Sequence, residues 1–228
     1  GEEGTLDSWV GRLGLYGNTA LGSATAGAEL ETFVTAPDSA GLESTGVTLR
    51  TRLGSTAFAA QRPSVTYELT HRDVAGEPDL PEEDRDGLFQ CLTLGHSWLP
   101  ETTPVGPLEL RLALSGARED TTGGFFDTTS RSALVAAVFA APVLPWARAA
   151  IEVGASLDRT RFTDEQHAFA MGAERTDDTT SVWVNIRQPL KNTRTAVEVR
   201  YGHSGTRSTI EGLQLSGHLA SVGLQHLF

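Results

Sequence analysis

Apolar and polar residues alternate along most of this chain with a period of two. In "PLELRLALSGA", Leu108, Leu110, Leu112 and Leu114 fall on one face, and Glu109, Arg111, Ala113 and Ser115 on the other. "TAVEVRYG" sets Thr195, Val197, Val199 and Tyr201 against Ala196, Glu198, Arg200 and Gly202. "AAIEVGASLD" sets Ile151, Val153, Ala155 and Leu157 against Glu152, Gly154, Ser156 and Asp158. In "SVWVNIRQ", Val182, Val184 and Ile186 oppose Trp183, Asn185 and Arg187. Successive side chains of an extended strand point to opposite faces, so each stretch predicts a strand with one apolar and one polar side. No stretch carries an apolar stripe at helical spacing over three turns, and the fold expected is all-β.

Strands are expected at 8–16, 24–35, 47–60, 64–72, 88–99, 107–117, 131–142, 148–160, 179–188, 195–203 and 217–228. A further span at 166–175 ("QHAFAMGAER") brings the number to twelve, whereas leaving out 8–16 gives ten. Bacterial single-chain barrels have even strand numbers, and the length suits twelve. Long polar links are expected around 36–46, 73–87, 118–130, 159–178 and 203–212, with shorter ones near 61–63, 99–107, 142–147 and 188–194. Long and short links thus alternate. An up-and-down barrel in an outer membrane has this pattern, with long external loops and short periplasmic turns. A Greek-key sandwich has no reason for it.

Composition narrows the classes. The net charge of -11 argues against nucleic acid, whose binding depends on neutralising phosphates. The single cysteine, Cys91, rules out an internal disulfide framework and a cysteine-based zinc site. The only methionine is Met171, and "GEEGTLDS" would suit a mature N-terminus left after removal of a signal peptide. The most apolar run, "SALVAAVFAAPVLPWARAAI", is interrupted by Pro142 and Pro145 and carries Arg148, which makes it a poor spanning helix. Two β architectures stay open on these grounds, a soluble sandwich and a barrel that crosses a membrane with strands.

The C-terminal stretch "HLASVGLQHLF" places Ala220, Val222, Leu224, His226 and Phe228 on one strand face. A final strand of this kind, ending in Phe, resembles the signature by which Gram-negative outer-membrane β-barrel proteins are recognised for insertion. His226 stands where an apolar or aromatic residue is usual. "RTDDTTSVWVNIRQPLKNTRTAVEVRYGHSGTRST…VGLQHLF" is similar to the closing hairpins of barrels attached to periplasmic-repeat proteins. The resemblance covers about the last third of the chain. It implies a single barrel domain over 1–228 with an N-terminal tail at 1–7, located in the outer membrane. It also implies a barrel-assembly signal at Val222, Leu224, His226 and Phe228, with Phe228 facing lipid at the periplasmic rim.

In such a barrel the outer face would hold Val65, Tyr67 and Leu69, the leucines of 108–114, Ile151 to Leu157 and Val182 to Ile186, all uncharged. Tyr67, Trp98, Trp146, Tyr201 and Phe228 would lie near strand ends, as interface girdles do. The inner face would hold Glu29 and Glu31 beside Arg50 and Arg52, Glu109 with Arg111, Glu198 with Arg200, and Glu152 and Arg187 nearby. Opposite charges at cross-strand distance neutralise one another, so a narrow, charge-paired lumen is expected rather than a wide aqueous pore. The acidic run "GEPDLPEEDRDG" has no EF-hand spacing and reads as a solvated external loop.

No complete catalytic set is visible. His96 and Ser97, and likewise His203 and Ser204, are adjacent and would face opposite ways on a strand. No metal site and no cofactor are expected. The function expected is therefore a non-enzymatic structural or anchoring subunit of an envelope machine for secretion, polysaccharide export or surface motility. A narrow channel for small solutes and a soluble β-sandwich binding module are the alternatives. Expected partners are the lipid bilayer and lipopolysaccharide, the barrel-assembly machinery and other envelope proteins, with no nucleic acid.

Overall fold

The computed structural model describes residues 8–37, 44–55, 57, 60–74, 85–100, 108–124, 127–144, 147–163, 175–191, 195–210 and 212–226. They form eleven strands: β1 Ser8–Leu21, β2 Ala24–Pro37, β3 Ser44–Ser55, β4 Gln61–Val74, β5 Gly87–Trp98, β6 Leu108–Thr121, β7 Thr128–Leu144, β8 Ala147–Phe162, β9 Thr176–Pro189, β10 Thr195–Ser208 and β11 Leu215–His226. Each strand pairs antiparallel with its sequence neighbours, in the order β1 to β11, within one sheet. The fold is thus an all-β, up-and-down antiparallel barrel wall. Among the described residues β1 and β11 are not paired with each other.

This architecture overturns the sandwich reading. A sandwich buries the apolar face of one sheet against a second sheet. Here there is one sheet, and its apolar face is bare. Leu30, Leu53, Leu94, Leu112, Leu114, Val135, Val153, Leu157 and Val182 are all exposed, and the described core contains only Ala136, Ala149 and Ala196. The strand register puts these exposed residues on a common side. Leu114 lies opposite Leu94, Val135 opposite both Leu112 and Ala155, and Val182 opposite Ala155. The apolar side is therefore the outside.

Strand number and length differ from expectation. Twelve strands were expected and eleven are described; the additional span at 166–175 lies almost wholly outside the described residues. The span at 8–16 is a strand and continues to Leu21, where Gly22 (φ 63°) opens a two-residue hairpin link that the alternation alone did not signal. Several strands run beyond their expected ends. β6 continues to Thr121 and β10 to Ser208, so the links there shorten to 122–127 and 209–214. Residues 61–63, expected in a link, begin β4. The links 75–86 and 163–175 are long and 22–23 and 145–146 short, but 99–107 on the short side is an exception to strict alternation. We call the two ends of the wall the long-link and short-link rims.

Extension of the strands also moves the aromatic residues. Tyr67 and Tyr201 were expected near strand ends but stand mid-strand, with their strands continuing to Val74 and Ser208. On the outer face they stand within the upper part of the apolar band, with Leu69 beyond Tyr67 on β4 and Val182 beyond the level of Tyr201 on β9. Beyond Tyr201 the outward residues are His203, Gly205 and Arg207. Each tyrosine hydroxyl is engaged at this level, Tyr67 donating to Gln90 Oε1 (3.2 Å) and Tyr201 pairing with His218 Nδ1 (2.8 Å). Trp98 is half exposed at the short-link rim, whereas Trp146 and Phe228 lie outside the described residues.

β7 carries the irregularity of the wall. Its register with β8 shifts between Ala141 and Leu144, around Pro142, which has no backbone N–H to give the ladder.

Candidate functional site

The inward face is built from the positions that alternate with the apolar band. On β2, β3 and β4 the register aligns Glu29, Arg50 and Glu68 in one row. Arg50 donates from Nη1 to Glu29 Oε2 (3.0 Å) and from Nε to Glu68 Oε2 (2.9 Å), so one cation joins carboxylates on both neighbouring strands. Each of these side chains is still about a third exposed, so water screens the row. Its chief role is to hold three long side chains in a fixed arrangement. Thr48 and Thr70 extend the contact one step along the strands, with hydroxyls 2.9 Å apart.

A second group sits at the centre of the described wall. Arg111 forms a fork on Glu109 of its own strand, Nε to Oε1 and Nη2 to Oε2, both 3.0 Å. Residues two apart on a strand face the same way, which makes this pairing possible. Arg111 also reaches over β7 to Glu152 on β8, at 3.1 Å. The residue beneath this bridge is Ala136, opposite Arg111 and only 3% exposed. Its small side chain leaves room for the crossing. Arg72 on β4 likewise bridges to Glu119 on β6, past β5. Such bridges tie together strands two apart on the inward face.

Glu152 also accepts a hydrogen bond from Trp183 Nε1 (3.0 Å). The indole lies over Gly154, its cross-strand partner, and a side chain at that position would collide with the Trp183 ring. Phe33 covers Gly46 in the same manner. An inward ring on a glycine fills the lumen side without pushing the strands apart.

Glu198 accepts from Arg200 (2.7 Å) and from Asn185 Nδ2 (2.9 Å). Arg187 is the cross-strand neighbour of Glu198 but makes no ion pair with it, and it does not meet Glu152, whose neighbour on β9 is Asn185. Arg52 lies beside Gly27 and Thr66, away from the row that holds Arg50, and Glu31 lies opposite Thr48. Sequence reading missed Glu68, Arg72, Glu119 and Trp183. Their inward parity was readable, but their partners depend on register. On the outer face of β11, Val222 and Leu224 are about three-quarters exposed; the His226 side chain is not described and Phe228 lies outside the described residues. His96 and His203 face outward, while Ser204 faces inward and bonds Ser181.

No protein-family model and no curated protein matches the sequence. Among solved structures, the β domain of the Bordetella autotransporter BrkA is similar at a TM-score of 0.49 and 10% identity, over 98% of this chain and 92% of that one. FpvA of P. aeruginosa bound to pyoverdine and the siderophore receptor PiuA of Acinetobacter baumannii give TM-scores of 0.44 and 0.43, each at 10% identity. This chain spans 39% and 45% of their respective lengths. All these scores lie below 0.5.

Proposed function

We propose that this chain is an outer-membrane β-barrel without catalytic function, acting as a structural or anchoring subunit of a cell-envelope machine. The observation that carries the membrane part is the inversion of the sheet: leucines and valines point outward and bare, while arginine–glutamate networks point inward. In water so large an exposed apolar surface would be a liability. In a bilayer it is the expected exterior, and a charge on it costs about 2–4 kcal/mol at the midplane. On β6 the four outward leucines span Leu108–Leu114, roughly 20 Å of strand at about 3.3 Å per residue. An apolar band about 25 Å tall is of that order.

The scaffold part rests on the lumen. Arg50, Arg72 and Arg111 each tie strands together through inward carboxylates, and Trp183 and Phe33 lie across the same side. Side chains held this way fill space that a wide channel would leave to water. Heat-modifiability on a gel, after extraction in mild detergent, tests the barrel. A band that migrates differently before and after boiling is expected; recovery in the aqueous fraction with no shift would reject it. Planar-bilayer recording then tests the scaffold reading. No unitary conductance is expected, and reproducible steps would assign a narrow solute channel instead.

A further inference from the structure

The outer face is not uniformly apolar. Toward the long-link rim, the parity that carries Leu114 on β6 continues to Gly116 and Arg118. The parity of Val135 on β7 runs back to Arg131, and that of Leu157 on β8 runs on to Arg159 and Arg161. The four arginines are exposed and line one open depression, floored in part by Gly116 and Thr129. Arg131 and Arg159 are direct cross-strand partners. Like charges at that spacing repel, and an anion between them offsets that repulsion.

The protein supplies little of that anion. Asp120 is held by Arg118 (2.6 Å). Asp178 engages Arg159 through Nε (2.7 Å) and Nη2 (2.9 Å), which leaves the Nη1 donors of Arg159. Arg131 has no hydrogen bond or ion pair among the described residues, and its neighbour on β6 is Gly116, which presents no side chain. Directly below, Leu114 and Leu157 are each 61% exposed. Two cross-strand arginines on the outward face, above a leucine surface, match an amphiphile with an anionic head and acyl tails. Arginine favours phosphate in particular, because its planar fork fits two phosphate oxygens.

We propose that the outward face of β6, β7 and β8 at the long-link rim binds the phosphate of an acylated membrane lipid, with Arg131 and Arg159 as its ligands. The lipid tails lie on Leu114 and Leu157. This rests on the membrane-barrel reading, and the site is distinct from the lumen networks because it faces the opposite side of the sheet.

The test uses the full chain refolded in non-ionic detergent, with diphosphoryl lipid A as probe and inorganic phosphate as competitor. Insertion into phosphatidylcholine vesicles is scored separately. The wild type should retain the lipid through purification. R131Q/R159Q should insert normally and bind about tenfold more weakly, as expected for loss of charge-assisted phosphate contacts. A Lys191→Gln control, removing a positive charge at the short-link rim, should bind as wild type. Unchanged binding by the double variant, an equal loss in the Lys191 control, or equally tight binding of free phosphate would each overturn the site. Failure of the wild type to insert would instead overturn the membrane reading beneath it.

Discussion

Replacing Arg111 with methionine removes the cation between Glu109 and Glu152 while keeping much of the side-chain volume. Three charge-assisted hydrogen bonds disappear, at 3.0, 3.0 and 3.1 Å. In a dry site they would count for about 1.5–3 kcal/mol each. The Arg111 side chain, however, is 43% exposed and its two partners about a quarter, so screening brings each carboxylate pairing nearer 1 kcal/mol. Loss of the neutralising charge also leaves two carboxylates on one small surface, which adds a repulsion of similar size. The expected loss is about 2–3 kcal/mol in all. Urea unfolding of the refolded protein in detergent, followed by tryptophan fluorescence, measures it. Trp183 bonds to Glu152 and should report the change directly. Arg200→Met is the matched control, since its pair with Glu198 is more exposed on the arginine side, and it should cost under about 1 kcal/mol. Adding Glu109→Gln and Glu152→Gln to the Arg111 variant should restore at least half of the loss. A loss for Arg111→Met no greater than for Arg200→Met, with no recovery on neutralising the two glutamates, would refute the view that this network braces the wall.

Other substitutions probe the remaining features. Gly154→Ala should displace the Trp183 ring, break its bond to Glu152, and destabilise by about 1–3 kcal/mol; near-ultraviolet circular dichroism should change, and an unaltered spectrum would count against the packed ring. Val153→Arg puts a cation in the outer band and should impair insertion into vesicles, by about 2–4 kcal/mol at the midplane, while Ser132→Arg on the inner face should be tolerated for insertion; equal behaviour of the two would invert the assignment of faces. Deleting Phe228 should reduce assembly into the outer membrane in cells, and unchanged yield and localisation would reject the terminal signature.

What the sequence revealed follows from parity. Period-two alternation determines which side chains share a face, so the apolar outer band and the inward placement of Glu29, Arg50, Glu109, Arg111 and Glu198 could be read directly. Pairing within a strand, as in Glu109 and Arg111, was also legible, because two residues along a strand is a fixed distance. Pairing between strands was legible only where neighbours happened to align, as with Glu29 and Arg50. The partners Glu68 and Glu119 depend on stagger, and a one-residue slip moves every contact to the other face. Arg52 and Arg187 show the same limit in reverse: both were grouped with carboxylates that the register does not give them as ion-pair partners. The arginine patch was missed for another reason. Polar residues at the upper ends of strands look like links, so β6 was expected to stop at 117, one residue short of Arg118; Arg131 and Arg159 fell within expected strands, but their pairing depends on the register.

The two unpaired edges have a consequence for topology. The described strands number eleven, an odd number, so β1 and β11 run in the same direction. Any direct seam between them would be a parallel ladder in an otherwise antiparallel wall, with evenly spaced, slanted hydrogen bonds and slightly less stability per residue. It would also be the one junction of the described wall not tied by a link. Ser8 therefore stands at the long-link rim of the described wall and His226 at the short-link rim. In the membrane barrel proposed above, the chain would therefore enter the described wall on one side of the bilayer and leave it on the other.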